Sequence, residues 1–402
     1  LVSTAPAARK SGQRHPQHQF EPCPVTDFLE WHHFALASGT ALLCVVLIVL
    51  APFVPRLTGE RRAWQAVQAI HSRPTPRVGG VAIFGAFAMS VAFAPPEVAS
   101  VHAKFILAAS ILFAAGLAED LGFEVSPAKR LLAAIAAGLA TMALLGFWLP
   151  RADVPGLDLL LDHWVVGVPV TLFITVSIAH AFNLIDGVNG LASLAAMVAA
   201  AAMAVIAHRA GAPFMVSLAT LMAAAVFGFF LLNFPAGAIF LGDAGAYTLG
   251  FVLSWFGVAL LIRAPEVTPW AILLTLFWPT ADIFLAMFRR LQRKAQTMAP
   301  DRLHAHHMVM RSLEIYFLGR GRRKVSNPLS TLILAPLVIA PPIAGVLLWN
   351  EPRLALAAVA FFGALFFLSY ITAIPLLKRI AGRSRPRMLE KGGPAKAPAP
   401  PR

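Results

Sequence analysis

Acid, amide and histidine side chains fall in five short clusters, each set against a long apolar run. His71–Gly80 reads HSRPTPRVGG, and Glu119-Asp120 is a paired acid. Asn183, Asp186 and Asn189 punctuate NLIDGVNG, Asn233 and Asp243 bracket NFPAGAIFLGD, and Asp301, His304, His306 and His307 lie in DRLHAHH. A carboxylate at a helix centre in hydrocarbon is unfavourable by about 2.5–3.5 kcal/mol on insertion scales, and by less near the interface. Such acids call for a partner, yet the stretches 183–189 and 233–243 hold no Lys or Arg. Several carboxylates without nearby bases point to a divalent cation. Mg²⁺, or Mn²⁺ in its place, suits oxygen ligands and commonly joins one or two carboxylates to substrate phosphates. The turns Asp186-Gly187 and Gly242-Asp243 let backbone approach a phosphate closely, and Arg77, Lys129 and Arg130 offer cationic groups for anionic oxygens. The chemistry these residue types favour is metal-assisted phosphoryl transfer.

The elements that must position them are membrane helices. Of 402 residues, 58% are apolar and 13% charged, with a mean hydropathy of +0.72. Soluble domains carry about 25% charged residues, so a water-soluble globular fold is excluded. Disorder is excluded as well, because disordered chains are poor in apolar residues. Cys23 and Cys44 give neither a disulfide framework nor metal-ligand spacing. A spanning helix needs about 20 mostly apolar residues. Eleven such runs are expected, near 34–55, 78–96, 104–118, 131–150, 164–182, 190–208, 213–233, 244–262, 270–288, 329–349 and 353–377. The fold class is an all-α polytopic membrane protein.

Of 33 Lys and Arg residues, 25 fall after odd-numbered runs or in the C-terminal tail. The positive-inside rule then sets those segments and the C-terminus in the cytoplasm and the N-terminus outside. All five polar clusters fall on the cytoplasmic face. The net charge of +14 is therefore a membrane signature, and nucleic acid is not an expected partner. Residues 1–33 read as a polar tail without a signal-peptide pattern, 34–377 as the integral domain, and 378–402 as a basic, Pro-rich disordered tail near anionic lipid.

Five motifs in order, HSRPTPRVGG, GLAED followed by SPAKR, AFNLIDGVNGLA, FPAGAIFLGDAGAYTLG and PDRLHAHH, resemble the polyprenyl-phosphate N-acetylhexosamine-1-phosphate transferase family. They are more similar to its UDP-GlcNAc branch than to its muramyl-pentapeptide branch. The resemblance implies transfer of HexNAc-1-phosphate from a UDP-N-acetylhexosamine to polyprenyl (undecaprenyl) phosphate in the bacterial cytoplasmic membrane. The products would be polyprenyl diphosphate-HexNAc and UMP, starting a lipid-linked envelope glycan such as O-antigen or capsule. It also implies that Asp243 is the Mg²⁺ ligand, with Asp120 beside it, and that Phe240 occupies a uracil-stacking position. Glu119-Asp120 match the paired acids near the lipid phosphate. Asn183, Asp186 and Asn189 match the nucleotide-sugar segment, and His304, His306 and His307 a motif contacting diphosphate or sugar. His71, Arg77, Lys129, Arg130 and Asn233 complete the substrate-binding set, and a second copy of the chain is a candidate partner.

Three positions depart from the family pattern: Glu119 replaces an Asp, His180 an Asn, and Ala246 a Ser. They mark either a subgroup with its own sugar preference or a less active, degenerate homologue. Competing roles are plainer: helix caps for Asp186 and Asp243, an interfacial cluster for the histidines, and positive-inside anchors for Lys129 and Arg130. Asp282, inside the ninth run, is a functional acid or the ion-pair partner of Arg289 or Arg290. A secondary transporter would place ionisable groups at the bilayer midplane, where these runs are nearly bare. A CDP-alcohol phosphotransferase would need further acids after Asp186-Gly187, where none follow.

Overall fold

The computed structural model describes residues 30–58, 75–94, 96–293, 304–319 and 321–383. His71, Asp301, both terminal tails beyond those limits and the whole of 294–303 lie outside the described residues. The described chain is helical: α1 Trp31–Leu50, α2 Gly79–Ser90, α3 Pro96–Asp120, α4 Pro127–Leu145, α5 Leu157–Leu161, α6 Trp164–Ile185 and α7 Leu191–Arg209. There follow α8 Pro213–Asn233, α9 Gly242–Arg263, α10 Pro269–Thr275, α11 Phe277–Arg293, α12 Ala305–Leu313, α13 Arg323–Leu347 and α14 Pro352–Arg383.

Among the described residues nine helices are long and apolar enough to cross a bilayer. The pair α10–α11, bent by 84°, is either a broken tenth span or a re-entrant loop. The remaining expected run is the short apolar helix Gly79–Phe93. At 1.5 Å per residue it reaches about 22 Å, less than the ~30 Å hydrocarbon core. The third run is longer than its hydropathy indicates, because Pro96 can stand at the head of a helix that continues to Asp120. The protein is a multi-pass membrane protein.

Local chemistry sets the helix ends that matter for the site. Ser126 caps α4 by accepting the Lys129 N–H, Pro127 opens its first turn, and Gly146 closes it in the left-handed region. Thr268 caps α10 in the same way, with Pro269 following. Burial then ranks the helices. Of α9's most apolar window 89% is buried, against 11% for α14, so α9 is the central helix and α14 faces lipid. α9 packs on α2, α3 and α6. The closest approaches are at its first turn, where Gly80 of α2 and Gly116 of α3 leave no room for a Cβ against Ala244 and Gly245. Small residues thus let two helices crowd the N-terminus of a third.

A cavity of about 440 Å³ lies at the opposite end of the bundle, between the far ends of α2, α4 and α9 and the near ends of α3 and α8. It is lined by Phe105, Phe147, Trp255 and Phe256, with Arg263 and a Ser90–His102 hydrogen bond of 2.9 Å as its polar groups. Without a carboxylate, it is not where phosphates would react.

Candidate active site

The site is built on a backbone pairing between two motifs. Phe240 N–H donates to the Pro76 carbonyl at 2.8 Å. Gly79 and Gly80 N–H donate to the carbonyls of Phe240 and Leu241, each at 2.9 Å. This brings RPTPRVGG against FLGD. Gly242 then turns the chain into α9 with φ of +74°, and a Cβ there would meet both the Arg77 carbonyl and the Asp120 carboxylate. Only glycine satisfies that turn and that contact together.

A helix N-terminus has N–H groups with no intrahelical acceptor and a partial positive charge. Here Asp120, the last residue of α3 and 2% exposed, fills that role from another helix. Its Oδ1 accepts from Asp243 N–H at 2.8 Å and its Oδ2 from Ala244 N–H at 2.9 Å. The Asp243 side chain does not cap its own helix. Its Oδ2 pairs with Arg130 Nη1 and its Oδ1 accepts from Asn183 Nδ2 at 3.0 Å. Four of the sequence motifs therefore meet within one hydrogen-bond network. Arg130 projects from the first turn of α4, whereas Lys129 beside it is exposed.

Asp186 closes α6 and makes no side-chain hydrogen bond among the described residues. It keeps only a little exposed surface. Burial holds its carboxyl well above the usual carboxylate range, repulsion from Asp243 and Asp120 adds to that, and attraction from Arg77 opposes it. Glu119 Oε2 and Arg130 Nε are also buried without hydrogen-bond partners among the described residues. Asp186, Asp120 and Asp243 thus repel one another beside Arg77 and Arg130.

No three His, Cys, Asp or Glu side chains among the described residues form a ready-made metal cage. A Mg²⁺ site needs only one or two carboxylates when substrate phosphates supply further oxygens. Asp243, Asp120 and the unbonded Asp186 carboxyl are hard oxygen donors of the right kind, so the residues fit such an ion.

Two amides expected at substrate instead hold the backbone. Asn189 N–H donates to Asn327 Oδ1 at 2.7 Å, Asn189 Nδ2 to the Pro235 carbonyl at 3.0 Å, and Thr331 Oγ1 to the Asn189 carbonyl at 2.7 Å. Asn233 Oδ1 accepts from Gly190 N–H at 2.6 Å while its Nδ2 donates to the Ile239 carbonyl at 2.8 Å. These bonds tie the 183–189 and 233–243 loops to each other and to α13. Asn327 and Thr331 are residues that motif reasoning missed. Ser326, Asn327, Ser330 and Thr331 lie on one buried polar face of an otherwise apolar helix, and that spacing was the available signal.

The histidines gather around α12. His304 and His306 are buried and His307 is half-buried, with His304 and His306 stacked at 5.8 Å and His306 and His307 at 4.1 Å. Neither ring nitrogen of His306 has a hydrogen-bond partner among the described residues, and its Nε2 lies where a Gly187 Cβ would stand. Burial lowers its pKa well below the ordinary histidine value, with His307 and His304 adding repulsion. Asp282 pairs with His304 rather than with Arg289, and the Arg290 side chain lies outside the described residues. The Asp282 Oδ2 lies 2.6 Å from His304 Nδ1, while Arg289 reaches Tyr370 at 3.3 Å. Of the departing positions, Ala246 is fully buried in α9. His180 sets its ring edge-on to Tyr247 at 4.9 Å with a buried Nε2 lacking a hydrogen-bond partner among the described residues.

The family model described as glycosyl transferase family 4 matches residues 102–261, which hold Glu119, Asp120, Arg130, Asn183, Asp186 and Asp243. Over that segment the chain is similar to glycosyl transferase family 4. The chain is 28% identical over 272 residues to a probable undecaprenyl-phosphate N-acetylglucosaminyl 1-phosphate transferase of Bacillus subtilis, covering 66% of this chain and 75% of the relative. It is 27% identical over 257 residues to the undecaprenyl-phosphate alpha-N-acetylglucosaminyl 1-phosphate transferase of Escherichia coli, covering 60% and 67%. A decaprenyl-phosphate N-acetylglucosaminephosphotransferase of Mycobacterium leprae is 24% identical over 377 residues, 84% of this chain and 91% of the relative. Outside the matched segment, Arg77 lies close enough to attract the Asp186 carboxylate and His306 packs over Gly187.

Proposed function

We propose that this protein transfers HexNAc-1-phosphate from a UDP-N-acetylhexosamine to polyprenyl phosphate, releasing UMP and starting a lipid-linked envelope glycan. One observation carries the reading: Asp120, Arg130, Asn183 and Asp243, from four separated segments, join in one network at the N-terminus of the central helix. Similarity to undecaprenyl- and decaprenyl-phosphate N-acetylglucosamine-1-phosphate transferases of several bacteria supports it.

A phosphate monoester has a second pKa of about 6, so the lipid phosphate is largely dianionic at pH 7 and needs no strong general base. Its oxygen attacks the β-phosphorus, and the bond from that phosphorus to the bridging oxygen breaks as UMP leaves. The obstacle is repulsion between anions. Arg77 and Arg130 neutralise charge on the approaching phosphates, and Asn183 with Asp186 and the histidine cluster hold the nucleotide sugar. Asp243 and Asp120 would hold Mg²⁺ or Mn²⁺, which when bound would supply further charge neutralisation. A covalent phospho-aspartyl route fits less well. Both oxygens of Asp120 accept backbone N–H groups and both of Asp243 are engaged by Arg130 and Asn183, so neither is poised as a nucleophile. Direct attack follows, on the face that the basic residues assign to the cytoplasm.

The test is UMP release by purified protein with Mg²⁺, undecaprenyl phosphate and a panel of UDP-HexNAc donors, beside Asp243→Asn. Lipid-dependent UMP from one donor, lost in the variant and on chelation, is expected and names the sugar. A folded protein without turnover on any donor overturns the reading and favours a degenerate homologue, with Glu119, His180 and Ala246 as the altered positions.

A further inference from the structure

Asp282 is a fully buried acid in the first half of α11, with no Lys or Arg side chain within ion-pair distance among the described residues. Burying a carboxylate is expensive unless it is paired and hydrogen-bonded. Both oxygens here point at one place: Oδ2 lies 2.6 Å from His304 Nδ1 and Oδ1 accepts from Ala305 N–H at 3.3 Å. The second bond fills an acceptor role at the N-terminus of α12, where His304 stands at the cap position without a side-chain cap of its own. One carboxylate thus fixes both the start of the helix carrying the histidines and the ring of the first of them.

The consequences propagate by contact. The His304 ring is stacked on His306 with planes 15° apart, His306 lies 4.1 Å from His307, and the His306 Nε2 edge fills the space over Gly187. Gly187 follows Asp186 in the acidic loop of the site. An ionised carboxylate only accepts hydrogen bonds, so the short contact puts a proton on Nδ1 and leaves Nε2 as the nitrogen through which His304 can act.

We propose that Asp282 is a positioning residue for the transfer reaction, holding His304 in the Nδ1-protonated form and seating the histidine cluster on the 183–189 loop. The role acts through His304 and rests on the transferase reading above. An apolar residue could fill the same volume in α11, but it could not select between the two imidazole tautomers. Asn could do so wrongly, because its amide can donate to Nδ1 and drive the proton to Nε2. In a buried acid–histidine pair of this kind, such a change lowers kcat by about 10⁴ while leaving geometry intact.

The experiment compares the wild-type chain with Asp282→Asn, Asp282→Glu and Asp282→Leu, each in detergent with ¹⁵N-labelled histidine. His304→Gln assigns the His304 signals. Expected for the wild type is an Nδ1-protonated His304. In Asp282→Asn the proton moves to Nε2, and kcat falls roughly 10²–10⁴-fold with KM for the nucleotide sugar within about threefold. Asp282→Glu restores part of kcat, whereas Asp282→Leu, which fills the volume without the charge, does not. An Nε2-protonated His304 in the wild type overturns the proposal, whether or not any variant folds. So does an unchanged tautomer in folded Asp282→Asn, or a kcat there within threefold of wild type. Absence of turnover from the wild type on every donor overturns the transferase reading instead, and the tautomer measurement still decides whether Asp282 positions His304.

Discussion

Asp120 and Asp243 meet through the side chain of one and the backbone of the other. The Asp120 carboxylate takes the N–H groups of Asp243 and Ala244, and this leaves the Asp243 carboxylate turned toward Arg130 and Asn183. The two acids therefore do different work. Asp120 fixes where the central helix begins, and Asp243 presents its charge at that point. A carboxylate oxygen has a second lone pair, so the arrangement still allows Asp120 to touch a cation or a phosphate while it holds the helix.

The division of labour separates two variants. Asp120→Ala orphans two buried N–H groups and is expected to cost about 1–3 kcal/mol of stability, together with at least a hundredfold loss of UMP release, roughly 2.7 kcal/mol in barrier. Asp120→Asn keeps one acceptor and loses the charge. It should retain most of the stability and still lose most of the activity. Thermal denaturation beside the UMP assay checks both. An active Asp120→Asn would reduce Asp120 to a cap.

Arg130 is expected to exchange partners during turnover, from Asp243 to substrate phosphate. Arg130→Met removes the cation and leaves Asp243 held by Asn183 alone, so kcat/KM should fall by about 10²–10³, the cost of a lost transition-state donor. Arg130→Lys keeps the charge but not the fork of donors and should recover only part of the loss. Initial rates across donor concentration make the comparison. Equal kcat/KM for wild type and Arg130→Met would mean that the pair is structural.

Much of the fold was legible because a bilayer imposes a length on every crossing helix. The run at 78–96 was misjudged in span because hydropathy does not show that its helix stops at Phe93. The site was legible only as a set of motifs on one face. Their bonding pattern was not, because Asn189 and Asn233 look the same in sequence whether their amides face substrate or tie down backbone. Asp282 left two readings open, a functional acid or an ion-pair partner, for a related reason. Arg289 and Arg290 lie on the same helix two turns away and suggested an ion pair, yet Arg289 turns to Tyr370. The true partner sits 22 residues away, beyond a chain reversal that no local pattern encodes.

His306 predicts the acid limit of stability. Its folded-state pKa is lowered, chiefly by burial, with His304 and His307 as its titratable neighbours and Gly187 of the acidic loop packed against it. The unfolded chain takes up a proton near the ordinary histidine value of 6.5 and the folded chain does not. Stability is therefore present above pH 6.5 and is lost as pH falls below it, by up to about 1.4 kcal/mol per pH unit for one group. Thermal midpoints from pH 7.5 to 5 should decline, and His306→Gln should flatten the decline. An unchanged slope in that variant would place the titrating group elsewhere.

Asn327 tests whether the bracing of the nucleotide-sugar loop matters to binding. Its Oδ1 accepts the Asn189 N–H and Thr331 holds the Asn189 carbonyl, so both backbone groups of one loop residue depend on one face of α13. Asn327→Ala leaves a buried N–H unsatisfied and is expected to cost about 1–3 kcal/mol. Because the neighbouring Gly190 N–H is still held by Asn233, the loop should loosen without detaching. The expected kinetic signature is a rise in KM for the UDP-sugar of about tenfold, equivalent to roughly 1.4 kcal/mol of binding, with kcat less affected. Asn327→Asp keeps an acceptor and should restore KM. If Asn327→Ala instead lowers kcat at constant KM, the α13 face governs the chemical step, and the loop it braces would have to position reacting groups directly.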